Sequence, residues 1–300
     1  MSIKKVIIFG KIPPPIGGVT VSVNNLIKSL LCKGLLVDIL SWRCLFSRYD
    51  MAHIHYSSLV KRAIGVIAAR LFSNKVIFTV HGKYLDTSNI FNRFSIFLSD
   101  GVVLLNNDLY KDVSKSVELS KLTVLPSLFA EGFTIDDDGF SYFEKVEGKK
   151  NLLLYAYDRS YRGNEETYGV EFIINNLHQL PDEFNVILLD ISGQYKDLAS
   201  ANTGRVTYIN KVVNFIGLLK QVDIYIRPTC MDGASVAVQE AQLLGVPVIA
   251  SNVVDRPVGV TTYVYKDFPD FVRKLSEIES SEFKPDLLSV DHYIDYCLKL

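Results

Sequence analysis

What most constrains this chain is a rhythm that occurs twice. Short apolar runs that read as buried strands alternate with longer segments whose apolar residues recur at helical spacing. In the first half the runs are KVIIFG, LLVDILS, MAHIHYS, KVIFTVHG, GVVLLN and KLTVLPS, interleaved with VTVSVNNLIKSLLCKG and SLVKRAIGVIAARLFS. In the second half they are NLLLYAY, FNVILLDISG, RVTYIN, VDIYIRP, VPVIAS and TTYVY, interleaved with segments ending in YGVEFIINNLHQL, with VVNFIGLLKQ and with the stretch after Asp232. Near-continuous apolar strands need helices on both faces of a sheet. The pattern therefore predicts an α/β chain: two Rossmann-like lobes with parallel sheets facing a central cleft. Residues 1–130 read as the first lobe, 131–150 as an acidic, aperiodic linker, 151–282 as the second lobe and 283–300 as a terminal helix. Spacing does not say which lobe that helix docks on.

Length agrees, since 300 residues suit two domains. No apolar run reaches the ~18 residues of a spanning helix, and the apolar stretch after Lys4 and Lys5 is too short for a secretory core, so the expected location is cytoplasmic. Cys32, Cys44, Cys230 and Cys297 are scattered without metal-ligand or disulfide spacing and read as reduced thiols. The net charge of −1 conceals an asymmetry: residues 1–130 carry 16 basic against 7 acidic residues, and residues 131–300 carry 16 against 26. A basic lobe attracts anionic ligands or anionic lipid. No nucleic-acid motif accompanies it, so nucleic acid is not an expected partner. The segment 58–72 has the pattern of a helix packed on a sheet, which is also that of an interfacial helix; packing is the preferred reading, and peripheral contact at the inner face of the cytoplasmic membrane is the further expectation.

Ligands of open parallel sheets bind beyond the carboxyl ends of the strands, so the loops there carry the chemistry. In GKIPPPIGGV, Gly17 and Gly18 open a helix whose backbone N–H groups can approach a phosphate. It is neither a dinucleotide nor a P-loop glycine motif. His53 and His55 alternate toward one face, too few for a metal, and read as satisfied polar groups. His81 follows an apolar strand and precedes Gly82, where a loop would present it to a ligand. Arg159 and Arg162 follow the first strand of the second lobe, where a diphosphate would need positive charge. In RPTCMDGASVAVQEAQLLG, Asp232 stands in a loop, Ser235 can cap the helix, Gly245 ends it, and Glu240 lies within it. Backbone donors at Gly233, Ala234, Ser235 and Val236 suit phosphate, while Glu240 can reach a pair of ribose hydroxyls. Arg227 is either a phosphate ligand or a brace for that loop.

The stretch 227–251, with PPPIGGV, VHG and the terminal helix, resembles family 4 retaining glycosyltransferases of the two-lobed GT-B architecture, bacterial polysaccharide-biosynthesis type. The resemblance runs in order over nearly the entire chain. It implies a nucleotide-sugar donor held mainly by the second lobe, a lipid-linked or saccharide acceptor on the first, no cofactor or required metal, and transfer with retained configuration. It gives Glu240 the ribose, Asp232 the sugar hydroxyls, Gly18 the approach to the diphosphate, and His81 a catalytic part. One departure stands out: the Lys expected before a Gly is Tyr168 before Gly169, which leaves Arg159 or Arg162 to supply the cation. Two alternatives stay open. Donor binding without transfer would mark a catalytically silent binding subunit, and donor consumption without acceptor would mark an epimerase or hydrolase.

Overall fold

The computed structural model describes residues 3–135, 138–278 and 289–300. Two positions of the expected linker and residues 283–288 of the expected terminal helix lie outside the described residues. By its internal contacts the chain divides into two compact units, the first comprising residues up to Phe133, Gly233–Val236 and the C-terminal helix, the second Thr134–Asp232 and the residues that follow from Ala237.

The first unit contains β1 (Lys5–Phe9), α1 (Gly18–Cys32), β2 (Leu36–Ile39), β3 (Tyr49–Ile54), α2 (Leu59–Arg70), β4 (Ser73–Thr79), α3 (Ile90–Leu98), β5 (Gly101–Leu104), α4 (Asn107–Val113) and β6 (Leu122–Val124). The second contains β7 (Lys150–Ala156), β8 (Tyr161–Arg162), β9 (Glu165–Glu166), α5 (Val170–Asn175), β10 (Phe184–Asp190), α6 (Lys196–Ser200), β11 (Val206–Ile209), α7 (Phe215–Leu219), β12 (Ile224–Arg227), α8 (Val236–Leu243), β13 (Val248–Ser251), β14 (Thr261–Tyr263) and α9 (Phe268–Glu277). The last helix, α10 (Asp291–Lys299), returns to the first unit.

Each unit is built on a six-stranded sheet, in the orders β2-β1-β3-β4-β5-β6 and β11-β10-β7-β12-β13-β14. Every pairing within the two is parallel. The period of two along a strand explains the cores: on β1, Val6 and Ile8 enter one cluster while Ile7 and Phe9 enter the one on the opposite face. Strand order reverses direction between β1 and β3 and between β7 and β12, and a parallel sheet opens a crevice at the carboxyl ends of such strands. The loops singled out from the sequence follow β1, β4, β7 and β12.

The helices α3, α4 and α9 were not legible as such. In α3 the apolar positions run nearly all round, Ile90, Phe91, Phe94 and Phe97 being exposed, and its start is fixed by Asn89, whose side chain accepts from the backbone N–H of Phe91 and Asn92. Helix α2 packs Ala63, Val66 and Ala69 on the sheet and leaves Ile64 and Ile67 exposed, as is Leu71 just past its end.

Helix α10 completes one face of the first sheet. Its Tyr293 and Cys297, with Val290 just before it, are buried among Val6, Ile8, Met51 and Ile77. Lys75 donates to the Cys297 carbonyl at 2.8 Å near the helix C-terminus, and Lys33 pairs with Asp291 at 2.7 Å near its start. Tyr293 packs edge-on against Phe129 at 6.0 Å and stacks on His53 at 5.4 Å. Tyr293→Ala is therefore expected to lower the stability of the first unit by about 3–5 kcal/mol in denaturant unfolding, with Tyr293→Phe losing only about 1 kcal/mol for its hydroxyl's bond.

Candidate functional site

The chemistry of the second unit gathers at the carboxyl end of β12. Arg227, its last residue, donates through Nε and NH2 to the two carboxylate oxygens of Asp232 at 3.1 and 3.2 Å. Arg256 donates to the same carboxylate at 2.7 Å and to the Ser251 carbonyl at 3.1 Å. All three side chains are largely out of water, with 13%, 8% and 3% of the side-chain surface of Arg227, Asp232 and Arg256 remaining. Burial opposes ionisation of Asp232, yet Arg227 and then Arg256 outweigh it and hold the carboxyl below its usual range. Of the two readings left open for Arg227, the structure has the brace.

Arg256 was missed by sequence reading. Its only trace is an arginine shortly after the apolar run VIAS and before Pro257, with nothing to connect it to Asp232 in a different loop.

Glu240 is in the opposite condition. It lies on α8, half-buried, and among the described residues no hydrogen bond or ion pair engages its carboxylate. Desolvation alone pushes its pKa up to about 7. Gly233, Ala234 and Ser235 form the loop before α8, Val236 is its first residue, and Gly245 closes it in the left-handed region at φ 72°. A bridge of one loop by two arginines beside an unengaged carboxylate one helix turn on is an arrangement that can hold a polyhydroxyl group against a phosphate.

At Tyr168, where a lysine was expected, the Arg227 guanidinium lies 5.6 Å from the centre of the ring. Gly169 follows at φ 74°, where a Cβ would stand 2.1 Å from the Pro228 carbonyl oxygen; this is why glycine joins α5 to the β12 loop. Arg159 is taken up by Glu171 and lies over the Tyr195 ring. Arg162 is exposed on β8, and no ion pair engages it among the described residues.

In the first unit, Gly17 caps α1 and Gly18 begins it; the Gly17 N–H donates to the Thr20 hydroxyl at 3.0 Å, which donates onward to the Pro15 carbonyl at 2.8 Å. His81 follows β4 and pairs through Nε2 with His55 Nδ1 at 3.0 Å. His53 is satisfied at both nitrogens, by Tyr293 and Thr79, but His55 is not: its Nε2 is buried without a partner among the described residues, contrary to its reading as a satisfied group. Among the described residues no group of three or more His, Cys, Asp or Glu could hold a metal ion, and no helix is long and apolar enough to cross a membrane.

Residues 160–280 match the family described as "Glycosyl transferases group 1". The match lies largely within the second unit and covers less than half of the chain. The chain is 26% identical over 258 residues to an Escherichia coli UDP-Gal:alpha-D-GlcNAc-diphosphoundecaprenol alpha-1,3-galactosyltransferase, covering 78% of this chain. It is 25% identical over 249 residues, 73% of its length, to the capsular polysaccharide biosynthesis glycosyltransferase CapM of Staphylococcus aureus. It spans 64% and 65% of the length of those two relatives. The crystal structure of Anabaena HepE in complex with UDP superposes with a TM-score of 0.66 at 12% identity, covering 99% of both chains. The fold is GT-B, as the sequence predicts, and the glycosyltransferase resemblance drawn from 227–251 is borne out for that domain.

Two outcomes follow from the opposite conditions of the acids. Asp232→Ala leaves two buried arginines facing each other and should cost about 3–5 kcal/mol, a loss seen in thermal or denaturant unfolding near neutral pH. The native Asp232 pKa is depressed, so its stabilisation is present above the unfolded value of about 4 and fades as pH falls through the native one. Glu240→Gln should instead stabilise. With the native pKa raised to about 7, the wild type loses stability as pH climbs from the unfolded value, and the variant's advantage grows over that interval and levels off above about 7.

Proposed function

We propose that the chain transfers a sugar from a nucleotide-sugar donor to a lipid-linked or saccharide acceptor in surface polysaccharide assembly, with retention of anomeric configuration and without a metal. The observation that carries the reading is Glu240: a carboxylate desolvated and unengaged on α8, inside the matched domain, is poised to accept two hydrogen bonds from the ribose hydroxyls of the donor. The complexed nucleotide of HepE makes UDP the first nucleotide to test. The diphosphoundecaprenol in the name of the Escherichia coli relative supports a polyprenyl-diphosphate-linked acceptor.

The chemistry asks little covalent work of the protein. As the glycosidic bond to the diphosphate breaks, negative charge grows on the leaving phosphate, and groups fixed in advance around it lower the barrier. Two guanidiniums on one carboxylate leave net positive charge at the end of β12. The loop before α8 adds backbone donors and the positive end of a helix dipole. Asp232 holds that loop in place, and Arg162 is the exposed cation available to the diphosphate. The departing phosphate oxygen takes the proton of the incoming hydroxyl on the same face, which retains configuration. In the first unit Gly17, Gly18 and His81 serve the substrates. The basic charge of residues 1–130, with Ile64 and Ile67 on α2, Leu71 just past its end, and Phe94 and Phe97 on α3 exposed, supports peripheral contact with an anionic membrane.

The test is transfer from a panel of UDP-sugars to a prenyl-diphosphate-linked sugar, with the product anomer read by NMR. Axial donors should give axial products, chelator should leave the rate unchanged, and Glu240→Ala should weaken donor binding about 10- to 100-fold, the worth of a charge-assisted hydrogen-bond pair. Donor bound but never transferred, donor hydrolysed without acceptor, or inverted product would each overturn the reading.

A further inference from the structure

Three histidines of the first unit form a chain of contacts in its interior. His53, on β3, pairs with Tyr293 of α10 at 2.9 Å through Nδ1 and with Thr79 of β4 at 2.7 Å through Nε2. Its ring lies 4.0 Å from that of His55, and His55 Nδ1 pairs with His81 Nε2 at 3.0 Å. His53 and His55 are 1% and 4% exposed. The groups acting on these rings are Tyr293, Thr79, one another, and the guanidinium of Arg62 on α2, itself buried and hydrogen-bonded to Asn92; no carboxylate acts on any of them among the described residues.

The His55–His81 bond admits two neutral arrangements. If His81 donated from Nε2, His55 would accept at Nδ1 and carry its own proton on Nε2, a buried N–H with no acceptor among the described residues. Orphaned buried N–H groups are far rarer than under-used acceptors. If His55 donates from Nδ1, its buried Nε2 is only a spare lone pair, and His81, accepting at Nε2, must carry its proton on Nδ1. A doubly protonated pair would place cations side by side in the interior with Arg62 close by.

We infer that His55 is a positioning residue that locks His81 in the neutral tautomer protonated at Nδ1, so that His81 meets substrate as a hydrogen-bond donor to an oxygen and never as a base. Nδ1 is the His81 nitrogen that no described residue engages. Desolvation first, then Arg62, lowers the His81 pKa to about 4, which keeps the ring neutral across the physiological range. The oxygen it would serve is a sugar hydroxyl or phosphate oxygen, and that assignment rests on the proposed transfer reaction, whereas the tautomer does not.

Two-bond proton–nitrogen correlation spectra of the full chain labelled with 15N-histidine read the tautomer directly, with His81 assigned by the resonance missing in His81→Asn. Wild type should show His81 protonated at Nδ1 and bare at Nε2 from pH 5.5 to 8. His55→Phe should release it to a mixture of the two neutral tautomers, and His55→Asn, whose amide can donate to the same nitrogen, should restore the wild-type pattern. If the transfer reading also holds, kcat/KM falls in His55→Phe and recovers in His55→Asn, with no histidine titration in wild type. An Nε2–H or imidazolium His81 in the wild type at pH 7 overturns the inference whatever the variants do. A locked tautomer in a protein without transfer activity overturns the functional reading alone.

Discussion

The second unit depends on one carboxylate held by two guanidiniums. Asp232 with Arg227 and Arg256 ties the end of β12 to its own exit loop and to the loop after β13. Such a buried cluster is costly to assemble and costlier to break, so it defines one loop geometry rather than several. Everything proposed for the donor follows from that fixity. The loop leads into α8, and α8 carries Glu240, whose carboxylate no hydrogen bond or ion pair engages among the described residues. The site pairs an over-satisfied acid with an unsatisfied one.

The fold was legible because burial on both faces makes a parallel strand apolar throughout, and twelve such strands were separated by recognisable turns. The loops were legible for the same reason, since a strand's carboxyl end locates itself once the strand is found. Partnerships were not. Arg256 lies 24 residues from Asp232, and His53 lies 240 from Tyr293, so neither pairing leaves a local signal. The short helices escaped for a different reason: α3 keeps apolar side chains on its outward face and so lacks the one-sided period that marks a packed helix.

At Tyr168, where the sequence led to the expectation of a lysine, the ring faces Arg227 of the neighbouring strand. In the first unit the C-terminal helix, two strands and a loop are joined through three imidazoles, and two of their ring nitrogens, His55 Nε2 and His81 Nδ1, engage no described residue.

The most direct measurement of the central claim is a crystal structure of this chain soaked with UDP. The account predicts both ribose hydroxyls within about 3 Å of the Glu240 carboxylate, with Asp232 still held by Arg227 and Arg256. A nucleotide lodged away from α8, or an Arg227 swung off Asp232 onto the phosphates, would contradict it.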